Sequence, residues 1–336
     1  MKSQVILPIA LYSLAVAALQ YTFNPDNAAS FRTPGVPTLY DLTESQFETA
    51  LSSSYYVGSF VSTLDENQFF IVSSLIILPQ QTQIRHSVLD ITNTSRYLKN
   101  SELVATPQAS NSTRGPLDYT FANYSFRAPT EDAISHMATW ATAEGYSFNI
   151  SWDATFTAMH NLGSGTFNFG AGNTSQWSLS ACRTAGTLTI DGRDYTIDPD
   201  NSLTWYDRQW GYGGPTNFTW FGLRFPESNI SLSVWAIDYK TEATADEWRF
   251  ATARTAHGDL IVPFTFKPGA GVWTSETTNF TYPSTWELEF RDGEKLVITA
   301  VRPDQELGTA FSGFVNVEGT FLGSRGESGV VDVIFT

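Results

Sequence analysis

The chain is poor in the residues that carry most recognisable chemistry. Cys182 is its only cysteine, so no internal disulfide can form and the fold rests on its core. A lone thiol could serve as a nucleophile, but a buried, inert one fits the same count. The four histidines, at 86, 136, 160 and 257, are never closer than 24 residues apart. No HExxH or Cys/His zinc spacing occurs, nor a GxGxxG, a GxxxxGK[ST] or a GxSxG elbow. The sequence thus calls for no metal and no cofactor. Charge is also scarce: 16% of residues are charged, and 19 basic against 34 acidic side chains leave −15. With no basic stripe to offset that balance, the chain repels a phosphate backbone, which excludes nucleic acid as a partner.

Apolar length is missing too, apart from the start. Val5–Leu19 is apolar but interrupted by Pro8, and it is too short to span a hydrocarbon core of ~30 Å comfortably. Lys2 precedes it, and Ala15 and Ala17 offer a small-residue cleavage site. Residues 1–20 therefore read as a signal peptide, leaving no integral membrane segment in the mature protein. Eight N-x-S/T sequons follow, at Asn93, Asn111, Asn123, Asn149, Asn173, Asn217, Asn229 and Asn279, where chance predicts roughly three. Together these features predict an N-glycosylated protein of the secretory pathway, secreted or held in a secretory vesicle.

Aromatic residues are abundant. Ten Trp, 14 Tyr and 24 Phe recur in short runs with Val, Ile and Thr between turn residues, and few windows keep a helical period. Hairpins are expected at Asp191-Gly192 within Thr187–Ile197 and at Asp292-Gly293 within Trp286–Val301. Two more are expected near His257-Gly258-Asp259 and across Asp65-Glu66-Asn67 in Tyr55–Leu78. The helix candidates are Thr130–Ala141, with its acidic first turn, and Thr43–Ser52, where Thr43 and Gln46 have capping-box spacing. The fold class is all-β: two antiparallel barrel or sandwich domains with little helix. The Gly- and Pro-rich break at Gly211–Pro215 sets their limits at 21–214 and 215–336.

One strand carries the functional signal. In Ser202–Gly211 (SLTWYDRQWG), alternation puts Trp205, Asp207 and Gln209 on one face and Tyr206, Arg208 and Trp210 on the other. Rings packing a core and ions pairing structurally would give this pattern. So would a carboxylate beside indoles, where desolvation raises its pKa and makes it an acid. The strand resembles the W-[FY]-D-x-x-W-G signature of the carotenoid 1,2-hydratase or AttH-like superfamily. Tyr55–Ile77 and Phe311–Val333, with the signal peptide and sequons, resemble its fungal kievitone hydratase-like and Diels–Alderase branch.

That resemblance implies lipocalin-like β domains around a ligand cavity and cofactor-free enzymes of secondary metabolism. Trp205, Asp207, Arg208, Trp210 and Gly211 match the signature. Asp207 is expected to be the acid or the orienter of a donor, and Arg208 a donor to a carbonyl, provided a bulge or domain interface brings both to one cavity. Trp205, Tyr206 and Trp210 are expected to line it, with Trp235, Asp238 and Glu318 as secondary candidates beside Trp152 and Asp153. The expected substrate is a hydrophobic small molecule. The leading expectation is a cyclase that folds a polyketide or terpenoid for intramolecular [4+2] or related ring closure. A hydratase, dehydratase or epoxide-rearranging isomerase is the first alternative, and a non-catalytic carrier the second.

Overall fold

The computed structural model describes residues 20–26, 39–106, 114–155 and 157–335. Strands from Ser52–Ser62 to Leu203–Gly211 form one 13-stranded antiparallel sheet, and strands from Asn217–Phe225 to Ser328–Phe335 form a 10-stranded one. The chain passes from one sheet to the other between Gly211 and Asn217. In the second sheet Lys295–Ala300 pairs with Ala310–Phe321, which closes eight strands into a barrel. The first remains a curled half-barrel. The all-β expectation holds, with this asymmetry between its halves.

The only helix among the described residues is Leu42–Ser45, capped by Asp41, whose Oδ1 accepts from Glu44 N at 3.0 Å. Thr43 is therefore inside the helix and not its cap. The expected helix over Thr130–Ala141 is absent. Asp132 Oδ1 instead accepts from the backbone N–H groups of Ile134 and Ser135, forming a side-chain-closed turn. His136–Ala143 then runs as a strand, burying Met137, Thr139 and Ala141 in alternation. That period of two outweighs the acidic first turn. The Asp191-Gly192 hairpin forms with φ of 49° and 78°, the left-handed pair of a type I′ turn. Pairing of Glu289 with Lys295, and of Ser62 with Gln68, gives two more expected hairpins. The remaining one closes at Thr255 and Gly258, so its turn residues are Ala256 and His257.

Three apolar clusters follow from this layout. One fills the half-barrel and includes Tyr55, Trp152, Trp177 and Tyr206. A second fills the closed barrel around Phe221 and Trp286. The third lies between the sheets and joins Phe60, Phe70 and Trp205 to Trp220, Trp235 and Phe314. A strap at Tyr21–Asn24 ties both sheets. Gln68 Nε2 donates to the Tyr21 carbonyl at 2.7 Å, and the Tyr21 hydroxyl donates to Asn316 Oδ1 at 2.7 Å.

Cys182 is buried in the half-barrel core, where burial pushes its thiol pKa up, so it is a poor nucleophile. Among the sequon residues, Asn93, Asn123, Asn149, Asn173, Asn229 and Asn279 are exposed and Asn217 is half-buried. Asn111 and residues 1–19 lie outside the described residues. No helix of the described residues is long and apolar enough to cross a membrane.

Candidate active site

The signature strand Leu203–Gly211 lies between Ser52–Ser62 and Gly172–Ile190. Its residues pair in unbroken register with the first of these, Asp207 opposite Tyr56 and Arg208 opposite Tyr55. The register shift in the second falls between Leu179 and Cys182, beyond Asp207. Alternation is therefore intact, and Asp207 and Arg208 face opposite ways. Tyr206, Arg208 and Trp210 turn into the half-barrel interior, away from the closed barrel.

Arg208 is wholly buried there. Its guanidinium donates to the carbonyls of Ser45, Glu48 and Gln209 at 3.0, 2.6 and 2.7 Å, and to that of Ser54 at 3.3 Å. The Tyr55 and Trp210 rings cover it at 4.4 and 5.1 Å. This clamp holds the short helix onto the strand pair and commits all three guanidinium nitrogens to backbone carbonyls, on the face away from the closed barrel. Tyr206 likewise donates to Gln46 Oε1 at 2.7 Å, and Trp210 packs edge-on against Tyr40. The expected placement of these three at the ligand cavity is thus corrected by simple strand alternation.

Asp207 faces the other way, into a cavity of about 330 Å³ between the two sheets. Tyr56, Phe169, Phe218, Trp220 and Trp235 supply most of its apolar wall. Trp205 lies beside the cavity and donates from Nε1 to Asp207 Oδ1 at 2.9 Å. Gln176 donates from Nε2 to Asp207 Oδ2 at 3.1 Å and accepts from Trp235 Nε1 at 2.8 Å. The indole N–H can only donate, so it fixes which end of the amide meets the carboxyl. Burial raises the Asp207 pKa to about 7, against the hydrogen bonds from Ser178, Trp205 and Gln176 and with help from the charge of Asp332.

Asp332 lines the same cavity with Arg85, and Nη1 of Arg85 lies 3.5 Å from Asp332 Oδ1. Tyr56 shares a hydrogen bond with Ser312 at 2.8 Å. Of the secondary candidates, only Trp235 reaches the cavity. Asp238 pairs with Arg249, Glu318 is exposed, Trp152 packs in the half-barrel core, and exposed Asp153 bonds His136 at 2.7 Å.

Sequence reasoning missed Gln176, Arg85 and Asp332. Asp332 had a usable signal, a lone acid among apolar residues in GVVDVIF, where alternation sends it one way and Val331 and Val333 the other. Gln176 and Arg85 had none, because their roles depend on partners far along the chain.

Gly222 makes room for this arrangement. A Cβ there would lie 2.9 Å from Trp205 Cδ2 and 3.1 Å from Trp220 Cη2. Gly222→Ala is expected to push the Trp205 indole off Asp207 and raise the Asp207 pKa further. The alkaline limb of kcat/KM should then move to higher pH, and an unmoved limb would show that the indole does not tune the acid.

A half-barrel docked on a closed barrel, with a desolvated carboxyl between them, defines a β-fold class built around an internal cavity. Residues 61–330 match the family described as AttH-like, and the chain belongs to that family. It is 33% identical over 329 residues to kievitone hydratase of Fusarium solani subsp. phaseoli, covering 94% of this chain and 92% of that protein. It is 32% identical over 342 residues to dehydratase asqC of Emericella nidulans, covering 96% of each. The crystal structure of kievitone hydratase from Nectria haematococca superposes with a TM-score of 0.87 at 30% identity, over 94% of this chain and 99% of that one. CghA shares the fold, with a TM-score of 0.56 at 12% identity over 94% and 97%. The two sequence relatives are thus named for adding and for removing water.

Proposed function

We propose that this protein is a hydro-lyase, adding or removing water at a prenyl, polyene or tertiary carbinol group of an apolar small molecule. The observation that carries this reading is the buried Asp207 carboxyl at an apolar cavity wall, held by Trp205 and Gln176, where burial raises its pKa to about 7. Ser178, Trp205 and Gln176 fill three of the about four lone-pair positions of the carboxylate, which leaves one for the proton it would deliver. In dehydration the acid protonates the leaving hydroxyl, the C–O bond breaks and water departs. The resulting cation faces the Trp220 and Trp235 rings, and loss of a proton from the adjacent carbon to the carboxylate forms the alkene. Hydration is the same sequence reversed. The step balances with water and the proton alone.

A second reading is ring closure, favoured by aromatic walls that can fold a flexible chain into a reactive shape, with Asp207 donating to a carbonyl. A carrier has no use for a titrating carboxyl in its ligand cavity, whose burial only costs stability. The exposed sequons support the accompanying proposal of a glycosylated protein in the secretory pathway.

The test is incubation of the purified protein in ¹⁸O-water with prenylated phenols and tertiary carbinols, followed by mass spectrometry. Gain of one labelled water, or loss of one water, is the expected result. A product of unchanged mass and new retention would overturn it in favour of ring closure, and recovery of bound, unaltered compound would favour a carrier.

A further inference from the structure

The outer face of the half-barrel carries a large ring that none of the three apolar clusters uses. Trp140, on His136–Ala143, is half-buried there, while its neighbours Met137 and Ala141 turn inward to the half-barrel core. Among the described residues the indole stacks on no other ring. It forms one wall of a shallow groove of about 470 Å³, together with Thr142, Ser147, Asn149 and Thr187. A group that covers this ring removes apolar area from water and stabilises the sheet beneath it.

The strand register supplies the cover. Asn149, in the sequon Asn149-Ile150-Ser151, pairs directly with Trp140 on one side and with Thr187 on the other. Residues paired in this way share a face, with Cβ atoms about 4.5–5.5 Å apart. Asn149 stands in the middle of Tyr146–Asp153, whereas the other described sequon asparagines stand in turns or at strand ends. A glycan rooted in a turn projects into water; one rooted in mid-sheet starts out beside the indole. N-Acetylglucosamine, the sugar joined to the Asn amide, has equatorial substituents and therefore presents C–H groups on both faces of its ring. Those hydrogens are slightly positive and meet the negative face of an indole. Asn123 offers a second root, but it is placed less well. Its carbonyl accepts from Thr142 N, and Tyr124 pairs with Ala141, so Asn123 is only a diagonal neighbour of Trp140 at about 7–8 Å.

We infer that Trp140 is the seat of the glycan on Asn149: the first N-acetylglucosamine lies on the indole and seals the outer face of the half-barrel. This rests on the glycoprotein reading proposed above and is independent of the hydro-lyase one. The sugar acts here as part of the fold, replacing water over an apolar ring that the protein itself leaves uncovered.

Hydroxyl-radical footprinting of protein secreted from a glycosylating host tests the seat. Mass spectrometry of its peptides reads both the occupancy of Asn149 and the oxidation of Trp140. Wild-type protein would be compared intact, trimmed by an endoglycosidase to one N-acetylglucosamine, and stripped of the whole glycan by an amidase. Trp140 is expected to oxidise severalfold more slowly in the intact and trimmed forms than in the stripped one. Asn149→Gln should match the stripped form, and Asn123→Gln the intact one. Urea unfolding gives a second readout. Asn149→Gln should raise the unfolding constant about fivefold when Trp140 is present and leave it unchanged in a Trp140→Thr background. An unoccupied Asn149 overturns the inference together with the glycoprotein reading at that residue. Full occupancy with equal oxidation in all three wild-type forms overturns the inference and leaves the glycoprotein reading standing. Protection that vanishes on trimming also overturns it, because the outer sugars would then be the cover. The wild-type comparison needs no variant to fold.

Discussion

Asp207→Asn should fold, bind ligand, and turn substrate over at least about a hundredfold more slowly than wild type, the usual worth of a positioned general acid. The side chain keeps its size, but an amide cannot deliver a proton. For the wild-type protein, kcat/KM for dehydration is expected to fall as pH rises through about 7, where the buried carboxyl loses its proton. The charged or titratable groups around it are Arg85, Asp332 and Tyr56, and burial holds Asp332 and Tyr56 above their ordinary values as well. Stability follows the same linkage. Between the ordinary Asp value and about 7 the folded state binds more protons at this site than the unfolded chain. Stability therefore declines as pH rises across that window, by on the order of a few kcal/mol. Asp207→Asn removes this contribution, so urea midpoints of wild type and variant should converge or cross between pH 5 and 8. A wild-type kcat in the Asn variant would end the role assigned to Asp207.

Arg208→Met is expected to lose about 3–5 kcal/mol of stability, because the buried carbonyl of Ser45 and the partly buried ones of Glu48, Ser54 and Gln209 lose a charged donor at once. Lys should not rescue it. An ammonium has three donors on a flexible stem and lacks the planar fork that reaches Ser45, Glu48, Ser54 and Gln209 together. Protein of either variant that remains folded at low temperature should keep kcat, since this side chain points away from the cavity. Urea unfolding and single-turnover rates measured on the same samples separate the two effects. Lysine at wild-type stability would contradict the clamp, and lost kcat at unchanged stability would give Arg208 a role in the chemistry.

The signature WYDRQWG therefore serves two ends, although Asp207 and Arg208 were both expected at one cavity despite the alternation of the strand. Strand period alone separates Asp207 from Arg208. What it could not show is which face lines the cavity, because that depends on where the closed barrel docks. The all-β class and most hairpins followed from local turn chemistry, as at Asp191-Gly192. The helix expected from Thr130 failed because an acidic first turn and an Asx turn use the same residues, and the alternation from His136 decides between them. Gln176 and the Arg85–Asp332 pair were illegible for a different reason. They are defined by contacts across the two sheets, and no local pattern encodes such a distance.

The amide of Gln176 also has a consequence for assembly. It takes its orientation from Trp235 in the closed barrel and lends it to Asp207 in the half-barrel. If the barrel undocks, the carboxyl returns to water and to ordinary acidity, and the proton it would have delivered is gone at neutral pH. On the hydro-lyase reading, competence and completion of the fold are then one event. The raised pKa of Asp207 therefore depends on Ser328–Phe335, which closes the wall opposite it.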